Sequence, residues 1–183
     1  MRFTLILVSS FMLFCNAQAQ ENSIALFGGY SFGTGSVSDA KPTGYKINLL
    51  YEFAPGASSW SVGGSVGYIS LSGSSSGALA GYSFKVQAVP ICLVPKFSFG
   101  SEKFKGYLKG AIGTGITTIT YTGTLVGTND NQWGMTLGLG AGASYFLNDR
   151  LFLSADYEWL RISNIYEDSG GISSASAGIG LKF

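Results

Sequence analysis

The chain contains no histidine, and charged residues are scarce at 11%, against roughly a quarter in an ordinary soluble domain. Without histidine a serine or a water lacks its usual activator, and zinc lacks its commonest nitrogen ligand. Cysteine occurs only at positions 15 and 92, and proline four times. Acidic and basic residues nearly balance, so no basic face is offered to a nucleic acid. The longest mostly apolar run, Phe3 to Cys15, falls short of the roughly 20 residues a membrane-spanning helix needs. If the chain enters a membrane, it does so as strands. What it has in quantity is glycine, 27 residues, and aromatics, 14% of the chain.

Arg2, the apolar run and the small residues Ala17 and Ala19 predict a secretory signal peptide over residues 1–19, cut before Gln20. Cys15 follows Phe14 rather than a small residue, which argues against a lipid anchor. Cleavage would leave ten basic against ten acidic residues and Cys92 as the only thiol, with no intrachain disulfide. Residues 20–183 then form one domain.

Eight segments show the two-residue period of a half-covered strand. They are Ile24 to Gly33, Tyr45 to Phe53, Trp60 to Leu71, Tyr82 to Phe99, Phe104 to Tyr121, Trp133 to Phe146, Leu151 to Ile162 and Ile172 to Phe183. The fourth is irregular: Phe84, Val86 and Ala88 share one parity, while Val89, Ile91 and Leu93 take the other. Pro90 sits at the change, and a bulge there would bring both halves onto one face; the face of Cys92 stays unassigned. Connections after strands two, four and six are tight. Those after one, three, five and seven are longer: Thr34 to Gly44, Ser72 to Gly81, Thr122 to Gln132 and Ser163 to Gly171. Short turns at one rim and long loops at the other match an up-and-down transmembrane barrel.

The predicted fold is therefore all-β, an eight-stranded antiparallel up-and-down transmembrane β-barrel. An eight-stranded interior holds only packed side chains or one small ligand, too little for the large apolar residues of this chain. They belong outside, with Gly, Ser and Ala lining the lumen. Aromatics then form two girdles. Tyr51, Phe53, Trp60 and Tyr145 lie near the short turns; Tyr30, Phe32, Tyr45, Tyr68, Trp133 and Trp159 lie near the long loops. Parity also turns Lys46, Glu52, Lys109, Asp156, Glu158 and Lys182 inward, with Lys85 placed beside them. Isolated charges in so narrow an interior are costly, so they are expected to pair across it.

The closing strand alternates Ala175, Ala177, Ile179, Leu181 and Phe183 with small or polar residues and stops on an aromatic. Gly178, Ile179, Leu181 and Phe183 resemble the terminal signal read by the bacterial barrel-insertion machinery. Together with the turn lengths, this makes the mature chain resemble the OmpA/OmpX-type small barrels and opacity-protein-like surface antigens of Gram-negative bacteria, porin-family relatives without a peptidoglycan-binding extension. The resemblance implies residence in the cell outer membrane, outer-membrane lipids and the insertion machinery as partners, an unidentified extracellular partner, and no nucleic acid.

No catalytic, cofactor or metal site is predicted. Ser72, Ser74, Ser75 and Ser76 form a loop tract. Adjacent Glu167 and Asp168 read as loop solvation rather than a calcium site. Gly138, Gly140 and Ala143 satisfy a dinucleotide-binding spacing, but inside an alternating strand rather than at a strand–turn–helix junction. The expected role is a non-enzymatic surface protein with a filled lumen, its four loops serving adhesion, envelope interaction or membrane integrity. A narrow porin-like channel for small solutes is the alternative, and an envelope enzyme with an unrecognised site a distant third.

Overall fold

A computed structural model of the protein describes residues 20–34, 42–55, 58–74, 83–122, 130–163 and 171–183. The leader, Tyr82, Ser75, Ser76, Glu167 and Asp168 lie outside the described residues. Eight strands follow in order: β1 (Gln20–Thr34), β2 (Thr43–Pro55), β3 (Trp60–Ser74), β4 (Ser83–Gly100), β5 (Phe104–Thr122), β6 (Asp130–Phe146), β7 (Leu151–Ile162) and β8 (Gly171–Lys182). Each pairs antiparallel with its sequence neighbour, and β8 pairs with β1 to close the barrel. Closure reaches the last residue: the Phe183 and Asn22 main chains exchange hydrogen bonds of 2.8 and 3.0 Å.

Local chemistry fixes the short-turn rim. Gly100 takes φ 123°, open to glycine at little cost, and the Ser101 N–H then donates to the Phe104 carbonyl at 2.8 Å. At the β6–β7 turn, Asn148 Oδ1 accepts the N–H groups of Arg150 and Leu151 at 2.9 and 2.7 Å.

The two faces separate as the alternation predicts. Leu139 (68% exposed), Trp133 (63%) and Trp60 (61%) face outward, while Phe27, Leu50 and Phe152 are buried inside. Such a wall of exposed apolar side chains would be a liability in water and is what hydrocarbon requires. On β4 the outward apolar run extends from Val89 to Phe99. That is about 33 Å of strand at ~3.3 Å per residue, or about 25 Å of height at a tilt of ~40°. It equals the apolar band of a membrane barrel.

One expectation fails here. No bulge occurs at Pro90: the β3–β4 and β4–β5 ladders hold one register throughout, interrupted beside each proline but resuming unshifted. Val86, Ala88, Pro90, Cys92 and Val94 all face inward and are buried. Lys85 is accordingly exposed on the outer wall, not in the lumen. The hydrophobic phase changes because the surroundings of the strand change. Beyond the upper girdle the wall leaves the apolar band, so its outward positions turn polar and its inward ones apolar, as in a soluble barrel. Ser72, Lys85, Gln87 and Thr118 follow one another around the outside, while Ile69, Leu71, Val86, Leu160 and Ile162 are buried within. Proline merely coincides with that boundary.

Candidate functional site

The lumen is built in layers. At the short-turn end Glu52 on β2 receives Lys96 of β4 at 2.6 Å and a hydrogen bond from the Ser61 hydroxyl at 3.2 Å. The Lys96 ammonium also sits 4.6 Å above the Tyr107 ring, and the Tyr107 hydroxyl donates to Asp156 at 3.3 Å. Asp156 pairs with Lys109 at 2.9 Å; Lys109 reaches Glu158 at 2.5 Å; Glu158 also pairs with Lys46. Three ammonium groups and three carboxylates therefore interlock across the barrel. Charges this deep persist only when paired and hydrogen-bonded.

The structure brings Lys46, Glu52, Lys109, Asp156 and Glu158 into one inward cluster, all at most 8% exposed. Lys182 does point inward but stays at the rim, half-buried against Glu21 at 2.6 Å. Lys96 and Tyr107 were missed. Both have the inward parity of their strands, Lys96 with Cys92 and Val94, Tyr107 with Lys109, and that signal would have found them. Cys92 is buried in the lumen wall as a free thiol.

Two glycines on β6 make the network sterically feasible. A Cβ at Gly140 would lie 2.7 Å from Lys109 Cε, and one at Gly142 would lie 2.5 Å from the Tyr107 ring carbon that bears the hydroxyl. The register places Gly140 between Lys109 and Glu158, and Gly142 between Tyr107 and Asp156. The β5 side chains lie flat across β6 to reach β7. Gly138 is packed in the same way, with the Leu160 side chain against the position a Cβ would take.

Above the charges, Ile69, Leu71, Ala88, Leu160, Ile162 and Ile172 form an apolar stopper, each at most 2% exposed. The lumen is accordingly less uniform than a lining of Gly, Ser and Ala. Below the charges it opens into a cup of about 90 Å³ of mixed lining, with Ser23, Ser61, Lys105 and Lys182 beside Phe146 and Phe152. Every carboxylate of the cluster faces an ammonium group, and none is left as a free base. Among the described residues no group of His, Cys, Asp and Glu could hold a metal ion, and no helix is long and apolar enough to cross a membrane.

The sequence profile of the outer membrane protein beta-barrel domain matches residues 3–183. The chain belongs to that family. As a family member it is an outer-membrane barrel set in lipid, and solved structures of the same fold agree. Ail, the attachment invasion locus protein of Yersinia pestis, is 19% identical, with 91% of this chain covering 100% of Ail at a TM-score of 0.61. A second Ail structure, 21% identical at a TM-score of 0.56 over 91% and 100% of the two chains, is a complex with the heparin analogue sucrose octasulfate. Neisserial surface protein A is 17% identical, with coverage of 88% and 97% and a TM-score of 0.63. No curated protein matches the chain in sequence.

In this outer-membrane barrel all ten predicted girdle residues have outward parity. Tyr30, Tyr45, Tyr51, Trp60, Trp133 and Tyr145 are exposed; Phe32, Phe53, Tyr68 and Trp159 are partly covered by neighbours. Tyr45 and Tyr68 pack at 6.1 Å, and Tyr68 is hydrogen-bonded to Gln87. Phe97, Phe99 and Phe104 extend the short-turn girdle and were overlooked; parity and nearness to the rim mark them too. Ile179, Leu181 and Phe183 lie exposed on the outer wall, and Gly178 faces inward beneath the Phe27 ring.

Proposed function

We propose that this outer-membrane barrel is a non-enzymatic surface protein whose lumen is closed and whose four longer loops meet a partner outside the cell. The carrying observation is the stacked closure of the lumen: a neutral ion network capped by buried Ile69, Leu71, Ile162 and Ile172. A solute would have to break paired buried charges and then cross a dry apolar layer, each costing several kcal/mol. Absence of histidine from the whole sequence supports a non-catalytic role. The resemblance in fold to Ail, whose name denotes attachment and which has been seen with a heparin analogue, supports an adhesive role for the loops. Removal of residues 1–19 on export, and reading of Gly178, Ile179, Leu181 and Phe183 during insertion, belong to the same proposal.

Planar-bilayer recording of the purified barrel, paired with cell attachment, tests it. The expected result is no steady conductance, and attachment that drops when the loops are shortened. Steady channels that change in Lys109→Ala or Asp156→Ala would replace this reading with a narrow conduit. Attachment indifferent to loop shortening would remove the adhesive role.

A further inference from the structure

The outer wall carries a notch at one level of the β4–β5 seam. Pro95 has no N–H to give, and the ladder omits the pairs Val94 with Ala111 and Pro95 with Gly110, resuming on either side in the same register. Gly110 faces outward at this gap with no side chain; a Cβ there would meet the Pro95 ring at 3.4 Å, ordinary contact distance. Around the gap stand Trp60, Phe97, Leu108 and Leu139, the first two with rings 4.9 Å apart. The open depression they border measures about 350 Å³ and its lining is almost wholly apolar.

Pro90 supplies the internal comparison. It interrupts the β3–β4 ladder in the same way, yet it is buried, with its ring 3.4 Å from the Cβ position of inward Gly67. An interrupted ladder alone does not create the outer notch. An outward proline opposite an outward glycine does.

We propose that this notch is a specific lipid site, holding one acyl chain of a glycerophospholipid from the periplasmic leaflet. The depth selects the leaflet. Pro95 lies four residues above Phe99, about 10 Å of height at ~3.3 Å per residue and a tilt of ~40°, in the half of the apolar band nearer the short turns. The apolar lining selects a hydrocarbon chain. The β4–β5 turn below carries exposed Glu102 and Lys103, one charge of each sign, matching the ammonium and phosphate of a phosphoethanolamine head group. The inference is independent of what the loops bind.

Native mass spectrometry of the detergent-purified barrel with added phosphatidylethanolamine tests the site. One retained phospholipid is expected on the unaltered protein. Gly110→Leu, which fills the notch, lowers its affinity on the order of tenfold. Gly64→Leu, on an outward glycine with open space around it, leaves it unchanged. Equal retention in both variants, or none on the unaltered protein, overturns the proposal. If Gly110→Leu does not assemble, a form with Trp60 as sole tryptophan (Trp133→Phe, Trp159→Phe) decides in bilayers containing a small fraction of brominated-chain phosphatidylethanolamine. Quenching well above that fraction supports a retained chain, and quenching in proportion to it overturns the site.

Discussion

Lys109 Nζ lies 2.5 Å from Glu158 Oε2, although the two residues belong to β5 and β7 with β6 between them. The pair forms because Gly140 lies between them in the register and leaves its inner face bare for the lysine stem. Asp156 and Tyr107 repeat the arrangement across Gly142. The alternating glycines of β6 are thus the bed on which the ion network rests.

Gly140→Ala is expected to destabilise the barrel by about 1–3 kcal/mol, the usual range for overpacking. Its new methyl would lie 2.7 Å from Lys109 Cε and 2.9 Å from the Tyr157 carbonyl oxygen, and the second of these cannot swing aside. Gly64→Ala, on the open outer wall, should be neutral or slightly stabilising. Denaturant midpoints in lipid vesicles compare the two, and an equal shift in both would dismiss the packing role.

Glu158→Gln leaves Lys46 and Lys109 without their shared carboxylate. Removing one partner from a buried pair costs about 3–5 kcal/mol. Lys182→Ala breaks only the half-exposed rim pair with Glu21, worth about 0–1 kcal/mol. Equilibrium unfolding by tryptophan fluorescence should rank them in that order, and comparable losses would show that the central network is not specially buried.

Cys92 is 6% exposed, inward on β4, with the stopper nearer the long loops and the ion network nearer the short turns. A bulky maleimide should leave it unmodified in the folded barrel and label it fully after unfolding. Rapid labelling of the folded form, read by mass, would mean that the lumen opens.

Phe183→Ala should reduce the heat-modifiable, folded fraction recovered in the outer membrane while leaving the stability of the folded barrel little changed. The side chain is 65% exposed, whereas the hydrogen bonds that close the seam with Asn22 come from the main chain. An unaltered folded fraction would remove the insertion role.

Strand number and face were legible because alternation is a local property, set by the backbone for each residue in turn. Lys46, Glu52, Lys109, Asp156 and Glu158 were found that way. The misreading of Phe84, Val86 and Lys85 has a single cause: alternation tells which residues share a face but not what lies against that face. Ser70 and Ser72 beside Ile69 and Leu71, and Thr118 and Thr120 beside Ile119, carry the same inversion on neighbouring strands. Aligning the strands by height would have revealed it as a membrane boundary rather than a bulge.

Residue pattern was enough for an eight-stranded barrel, its orientation toward lipid and the inward side of five of the six network charges, since period-two patterning and turn length act over a few residues. Which charges meet depends on the assembled ring, because partners such as Lys46 and Glu158 are brought together by strand register around it. The same register set the height at which hydrocarbon gives way to water, turned Lys85 outward, and laid Lys109 across a glycine no local pattern had linked to it.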